Sequence, residues 1–82
     1  MSKAEKLLQR LLSFPKDFTW EELVTLLRHL GYKEYNNSGS RRKFIDSKQN
    51  MINLHKPHPS NILKHYALKQ VVEQLKEKKL IQ

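Results

Sequence analysis

Residues 40–43, Ser40-Arg41-Arg42-Lys43, put a hydroxyl and three cations on consecutive positions directly after Gly39. Arginine offers a planar fork that grips two phosphate oxygens at once, and lysine adds a compact point charge. Lys56 supplies another cation further along. Three of the four histidines, His55, His58 and His65, fall within eleven residues. Histidine is the side chain whose ordinary pKa lies nearest physiological pH, so it can both take and return a proton. Cations on a phosphate plus an imidazole that moves protons are the parts needed to cut RNA. The imidazole removes the 2′-hydroxyl proton, and the cations steady the charge that builds on the phosphate. His55 and His58 are the candidate catalytic residues. Ser40, Arg41, Arg42, Lys43 and Lys56 are the candidate RNA contacts.

Plainer readings stand beside these. A charged strand resists edge-to-edge aggregation without binding anything. Clustered histidines can be surface or loop-packing residues. The His55-x-x-His58 spacing suits a metal, but no clear third ligand accompanies it, and no metal site is assigned. His29 lies near an apolar helical stripe and reads as structural. Trp20, Phe14 and Phe18 read as core; Tyr35 and Tyr66 are the aromatics best suited to base stacking.

Whole-chain properties favour an anionic partner. The 82 residues carry sixteen Lys and Arg against eight Asp and Glu, a net charge of +8. Such an excess suits nucleic acid, an anionic membrane or an acidic protein. The charge is uneven. Residues 1–35 hold six basic and five acidic groups, residues 36–59 five and one, and residues 60–82 five and two. With no cysteine, disulfides, thiolate metal sites and thiol nucleophiles are excluded. No apolar run approaches the roughly 20 residues of a membrane span. Met1 to Arg10 mixes Lys3, Glu5, Lys6 and Arg10 with leucines, unlike a signal peptide. A soluble, cytoplasmic protein is expected. A chain this short buries only about 60% of its unfolded surface, which leaves little core for a large cofactor, and none is expected.

The positioning elements follow from periodicity. Ala4, Leu7, Leu8 and Leu11 form one face of a helix over 3–12, ended by Phe14-Pro15. Thr19-Trp20-Glu21-Glu22 has capping-box spacing and opens a second helix, with Phe18 and Leu23 placed as a hydrophobic staple. Trp20, Leu23, Val24, Leu27 and Leu30 continue its stripe, and Gly31 suits the position beyond its C-cap. Strands are expected over 32–35, 40–46 and 51–55, separated by Asn36-Asn37-Ser38-Gly39 and Ser47-Lys48-Gln49-Asn50 turns. Joined so tightly, they form an antiparallel meander. If Phe44 faces the helices, then Arg41, Lys43 and Ile45 share the open face with Met51, Asn53 and His55. Two prolines keep 56–60 irregular. Ser60 or Asn61 is then expected to cap a last helix bearing Ile62, Leu63, Leu68, Val71, Val72 and Leu75. The class is α+β, order α-α-β-β-β-α, in one domain over 1–82.

Leu30-Gly31-Tyr32, Ser38-Gly39-Ser40-Arg41-Arg42-Lys43-Phe44 and Pro57-His58-Pro59, in that order, resemble the HicA family of toxins from bacterial toxin–antitoxin systems. The resemblance covers residues 19–80 and leaves the helix at 3–12 as an addition, one that covers core or mediates self-association. It implies a double-stranded-RNA-binding-domain-like fold, metal-independent cleavage of messenger RNA, and neutralisation by a HicB antitoxin. One position departs. The family's catalytic histidine follows the Gly-Ser pair, and here that residue is Arg41. Arginine stays protonated and cannot act as a general base. Three functions therefore remain open: an endoribonuclease toxin using His55 or His58, an RNA-binding module that does not cut, and a basic domain that binds an acidic protein.

Overall fold

Short-range signals set most element boundaries. The computed structural model describes residues 3–36, 39, 41–57 and 60–77. Its elements are α1 (Lys3–Leu12), α2 (Trp20–His29), β1 (Lys33–Asn36), β2 (Arg41–Ile45), β3 (Met51–His55) and α3 (His65–Glu77). The expected α+β class and α-α-β-β-β-α order hold. No helix among the described residues is long and apolar enough to cross a membrane.

The capping box of α2 is complete. Thr19 Oγ1 accepts from the Glu22 N–H at 3.1 Å, and Glu22 Oε1 accepts from the Thr19 N–H at 3.0 Å. At the other end, Tyr32 N–H donates to the Leu27 carbonyl and Gly31 N–H to that of Arg28. This paired arrangement needs a left-handed residue, and Gly31 takes φ +97°. The chain is thereby turned directly from α2 into β1.

The sheet is an antiparallel meander, β1-β2-β3. Phe44 pairs with Glu34 on one side and Ile52 on the other, and Arg42 with Asn36 and Leu54. Phe44, Ile52 and Leu54 are buried against Trp20, Leu23, Leu26 and Leu27 of α2 and Leu68, Val71, Val72 and Leu75 of α3. Trp20 and Phe44 meet ring to ring, their centroids 5.7 Å apart. Among the described residues all helices lie to that side, and the opposite face of the sheet is left open.

Helix α1 packs on α2 and α3 and buries Leu7 and Leu11 in the same core. Arg10 ties it down. Its Nε donates to Glu22 Oε2 and its Nη2 to Asp17 Oδ1, both at 2.9 Å, with the guanidinium 5.7 Å from the Phe18 ring centre. Burial pushes the Glu22 carboxyl upward. The hydrogen bonds from Arg10 and Thr19, with the Arg10 charge, outweigh that and hold it below its usual value.

The start of the last helix corrects the expectation. Neither Ser60 nor Asn61 caps it; α3 begins at His65, after the Lys64 carbonyl accepts from Ala67 and Leu68. Residues 61–63 instead run against the approach to α2. Ile62 bridges Thr19, Trp20 N–H donates to the Asn61 carbonyl at 2.7 Å, and Leu63 N–H to that of Phe18 at 2.8 Å. This pairing satisfies one of the amides that a helix N-terminus leaves unbonded, and it buries Leu63. Such long-range pairing outweighs a local capping preference.

Candidate nucleic-acid interface

The register of the meander decides which candidate residues meet. Arg41 lies directly opposite His55, and Lys43 lies between Tyr35 and Asn53. Ile45 lies between Lys33 and Met51. All eight point away from Phe44 and so share the open face, because side chains alternate along a strand. Antiparallel partners stand about 4.5–5.5 Å apart at Cα, so an Arg41 guanidinium and a His55 imidazole can reach one phosphate group. A cleft of about 240 Å³ is bounded by Arg41, Asn53 and His55, with Arg42 and Leu54 between them. Arg41, Asn53, His55 and Tyr35 are exposed and Lys43 half-buried.

Arg42 does something else. It points to the helix side, where its Nη1 donates to the Gly39 carbonyl (2.7 Å), Asn36 Oδ1 (3.1 Å) and the Arg41 carbonyl (3.1 Å). Its Nε sits 3.6 Å from Glu34 Oε2. The guanidinium thus braces the β1–β2 hairpin from within. Lys56 also falls on the helix side. With Arg28, Glu34 and Arg42 it lines a groove of about 570 Å³ between α2 and the sheet. The contiguous cations of the sequence therefore divide between two faces.

Ser40 and His58, the other candidates, lie outside the described residues. His65 opens α3, and its ring tilts against Phe14 at 5.0 Å. Phe14 itself holds φ +51°, a left-handed conformation uncommon for an aromatic residue, and this contact faces it. His29, expected to be structural, is exposed on α2. Among the described residues, no three His, Asp or Glu side chains are grouped so as to hold a metal ion.

Lys33 is a cation of the open face that the sequence reading did not single out. Counting back by two from Tyr35 along the strand would have found it. The Asn53 carbonyl, on the outer edge of β3, accepts from Gln70 Nε2 of α3 at 3.1 Å, which ties that edge strand to the helix layer.

No curated protein and no solved structure matches the chain. A family model described as the HicA toxin of bacterial toxin-antitoxin matches residues 20–77. The match runs from the first residue of α2 to the last of α3, spans the whole sheet, and leaves α1 outside. Since it takes in well over half of the residues, the chain belongs to the HicA toxin family.

Proposed function

We propose that this toxin binds RNA on the open face of its sheet and cuts it there. The observation that carries the reading is the Arg41–His55 pair, set across β2 and β3 on the uncovered face and beside a cleft. Lys43 and Lys33 continue the cationic surface. Arg41 grips the scissile phosphate, and His55 Nδ1 or Nε2 takes the proton from the neighbouring 2′-hydroxyl. The 2′-oxygen bonds to phosphorus, the bond to the 5′-oxygen breaks, and the imidazolium so formed returns its proton, directly or through water, to that leaving oxygen. The products are a 2′,3′-cyclic phosphate and a free 5′-hydroxyl. His58 is the second candidate for proton transfer. A cytoplasmic HicB-like antitoxin that presents acidic groups to the same face would block it. Residues 20–77 form the HicA core of a single domain, and the double-stranded-RNA-binding-domain likeness is part of the same proposal.

The test is induced expression with and without the neighbouring antitoxin gene, and RNA integrity followed by gel. Wild-type protein degrades messenger RNA and arrests growth, and His55→Ala does neither while still shifting RNA. Intact RNA with wild-type protein, alongside salt-sensitive binding, would favour the second reading, an RNA-binding module that does not cut. Arg41 at the position expected to hold histidine favours that reading. A protein that neither binds nor cuts RNA would leave the basic domain with an acidic protein partner.

A further inference from the structure

A second cavity opens at the other end of the same sheet. It measures about 320 Å³ and is lined by Lys33, Tyr35, Ile45, Asp46, Ser47 and Gln49. Arg41 and Ile45 are four residues apart on β2, which places this cavity about 13 Å from the Arg41–His55 pair. Its walls differ in chemistry from the cationic end. Tyr35 is 48% exposed although it sits in a strand. Beside it Ile45 adds an apolar surface, Ser47 and Gln49 add groups that both donate and accept, and Lys33 adds a charge.

The turn that carries the polar wall is held by hydrogen bonds. Asp46 Oδ1 accepts from the N–H of Lys48 and of Asn50, at 3.0 and 2.8 Å, and Oδ2 accepts from Asn50 Nδ2 at 2.9 Å. The Asp46 N–H donates to the Asn50 carbonyl, and the Gln49 N–H to that of Asp46, both at 3.1 Å. Burial pushes the Asp46 carboxyl upward, and these bonds outweigh it and hold the group below its usual value. Gln49 takes φ +69°. Glycine or asparagine would occupy that backbone with less strain. A long amide side chain held at an unfavoured backbone angle on the rim of a cavity points to a use for the amide.

We infer that this cavity is a nucleobase subsite: Tyr35 stacks an unpaired base, Gln49 and Ser47 hydrogen-bond to its edge, and Lys33 meets the adjoining phosphate. The inference rests on the RNA-binding reading above and deepens it. It makes the substrate a single strand, because a base held in a duplex cannot enter a pocket between a tyrosine and a turn. It also separates two tasks along β2. The Arg41 end handles the phosphate and the Ile45 end selects the base.

The experiment measures fluorescence anisotropy of the full chain on three 2′-fluoro probes, which lack the attacking hydroxyl and stay intact. They are a single strand, the same strand with abasic sites, and a duplex. Wild type is expected to prefer the base-bearing single strand. Tyr35→Ala should weaken that probe about five- to tenfold, leave the abasic strand unchanged, and be rescued by Tyr35→Phe. Gln49→Gly should keep or raise thermal stability while narrowing the preference for the base-bearing over the abasic strand. Equal loss on the base-bearing and abasic strands, or no loss on either, would overturn the subsite. So would a Tyr35→Ala protein with unchanged RNA affinity but weakened antitoxin binding, since the cavity would then hold a protein side chain. If Arg41→Glu abolishes binding while Tyr35→Ala is silent, the subsite alone is wrong. If wild type binds none of the probes, the RNA reading falls with it.

Discussion

Arg41 and Arg42 are neighbours of the same type, and the fold predicts opposite behaviour for them. Among the described residues three strand cations, Lys33, Arg41 and Lys43, sit on the open face, whereas Arg42 is engaged by Glu34, Asn36 and two carbonyls on the other side. Each phosphate contact on a single strand contributes about 0.7 to the slope of log K against log salt. Three contacts give a slope of about −2.1, an affinity loss of about 18-fold between 50 and 200 mM salt. Arg41→Gln should reduce the slope to about −1.4 and that loss to about 7-fold. Arg42→Gln should leave the slope near its wild-type value and instead destabilise the hairpin by about 1–2 kcal/mol. That cost appears as a drop of about 4–8 °C in melting temperature per kcal/mol for a chain of this size. Anisotropy titrations at four salt concentrations and a thermal melt of each variant measure both quantities. Should Arg42→Gln flatten the salt dependence as much as Arg41→Gln does, the division of cations between faces is wrong, and so is the interface built on it.

The remaining predictions concern the frame. Leu11→Ala, in the helix outside the family match, should cost about 2–5 kcal/mol in urea unfolding, because Leu11 is fully buried; a cost under about 1 kcal/mol would make α1 an appendage. Glu22 has a folded pKa below its usual value, so its contribution is present above that usual value and is lost as pH falls through the folded one. The urea midpoint should therefore drop on acidification, and drop less in Glu22→Gln. Tyr32 shows the reverse sign. Burial first, then the Asp46 charge, raises its pKa, so stability is lost as pH rises beyond the ordinary tyrosine range. Its buried hydroxyl has no hydrogen-bond partner among the described residues, so Tyr32→Phe should keep or raise stability at neutral pH and remove the alkaline loss. An unchanged alkaline midpoint in that variant would count against the assignment.

Much of the fold was legible because it rests on local chemistry. The Thr19–Glu22 box, the Gly31 exit and the alternation in 51–55 each involve residues a few positions apart, and each appears where the sequence placed it. The candidate site was legible in part. Strand alternation put Arg41, Lys43, Asn53 and His55 on one face once Phe44 was assigned to the core, and the pairing register matched it. The start of α3 was not legible. Ser60 and Asn61 are good capping residues, but Asn61 through Leu63 pair with Phe18 through Trp20, some forty positions earlier, and that pairing prevails.

By itself the sequence determined the element order, the turns and the excess of positive charge around the sheet, since these depend on residue type and short spacing. Alternation separated Arg41 and Lys43 from Arg42, and only the tertiary structure decided what each of them meets. Arg41 and Arg42 are indistinguishable as residues, and the difference arises because the pairing of β1 with β2 sets Glu34 and Asn36 beside Arg42 on the helix-side face. That face gives Arg42 carbonyls and a carboxylate to bond, and leaves Arg41 in solvent opposite His55.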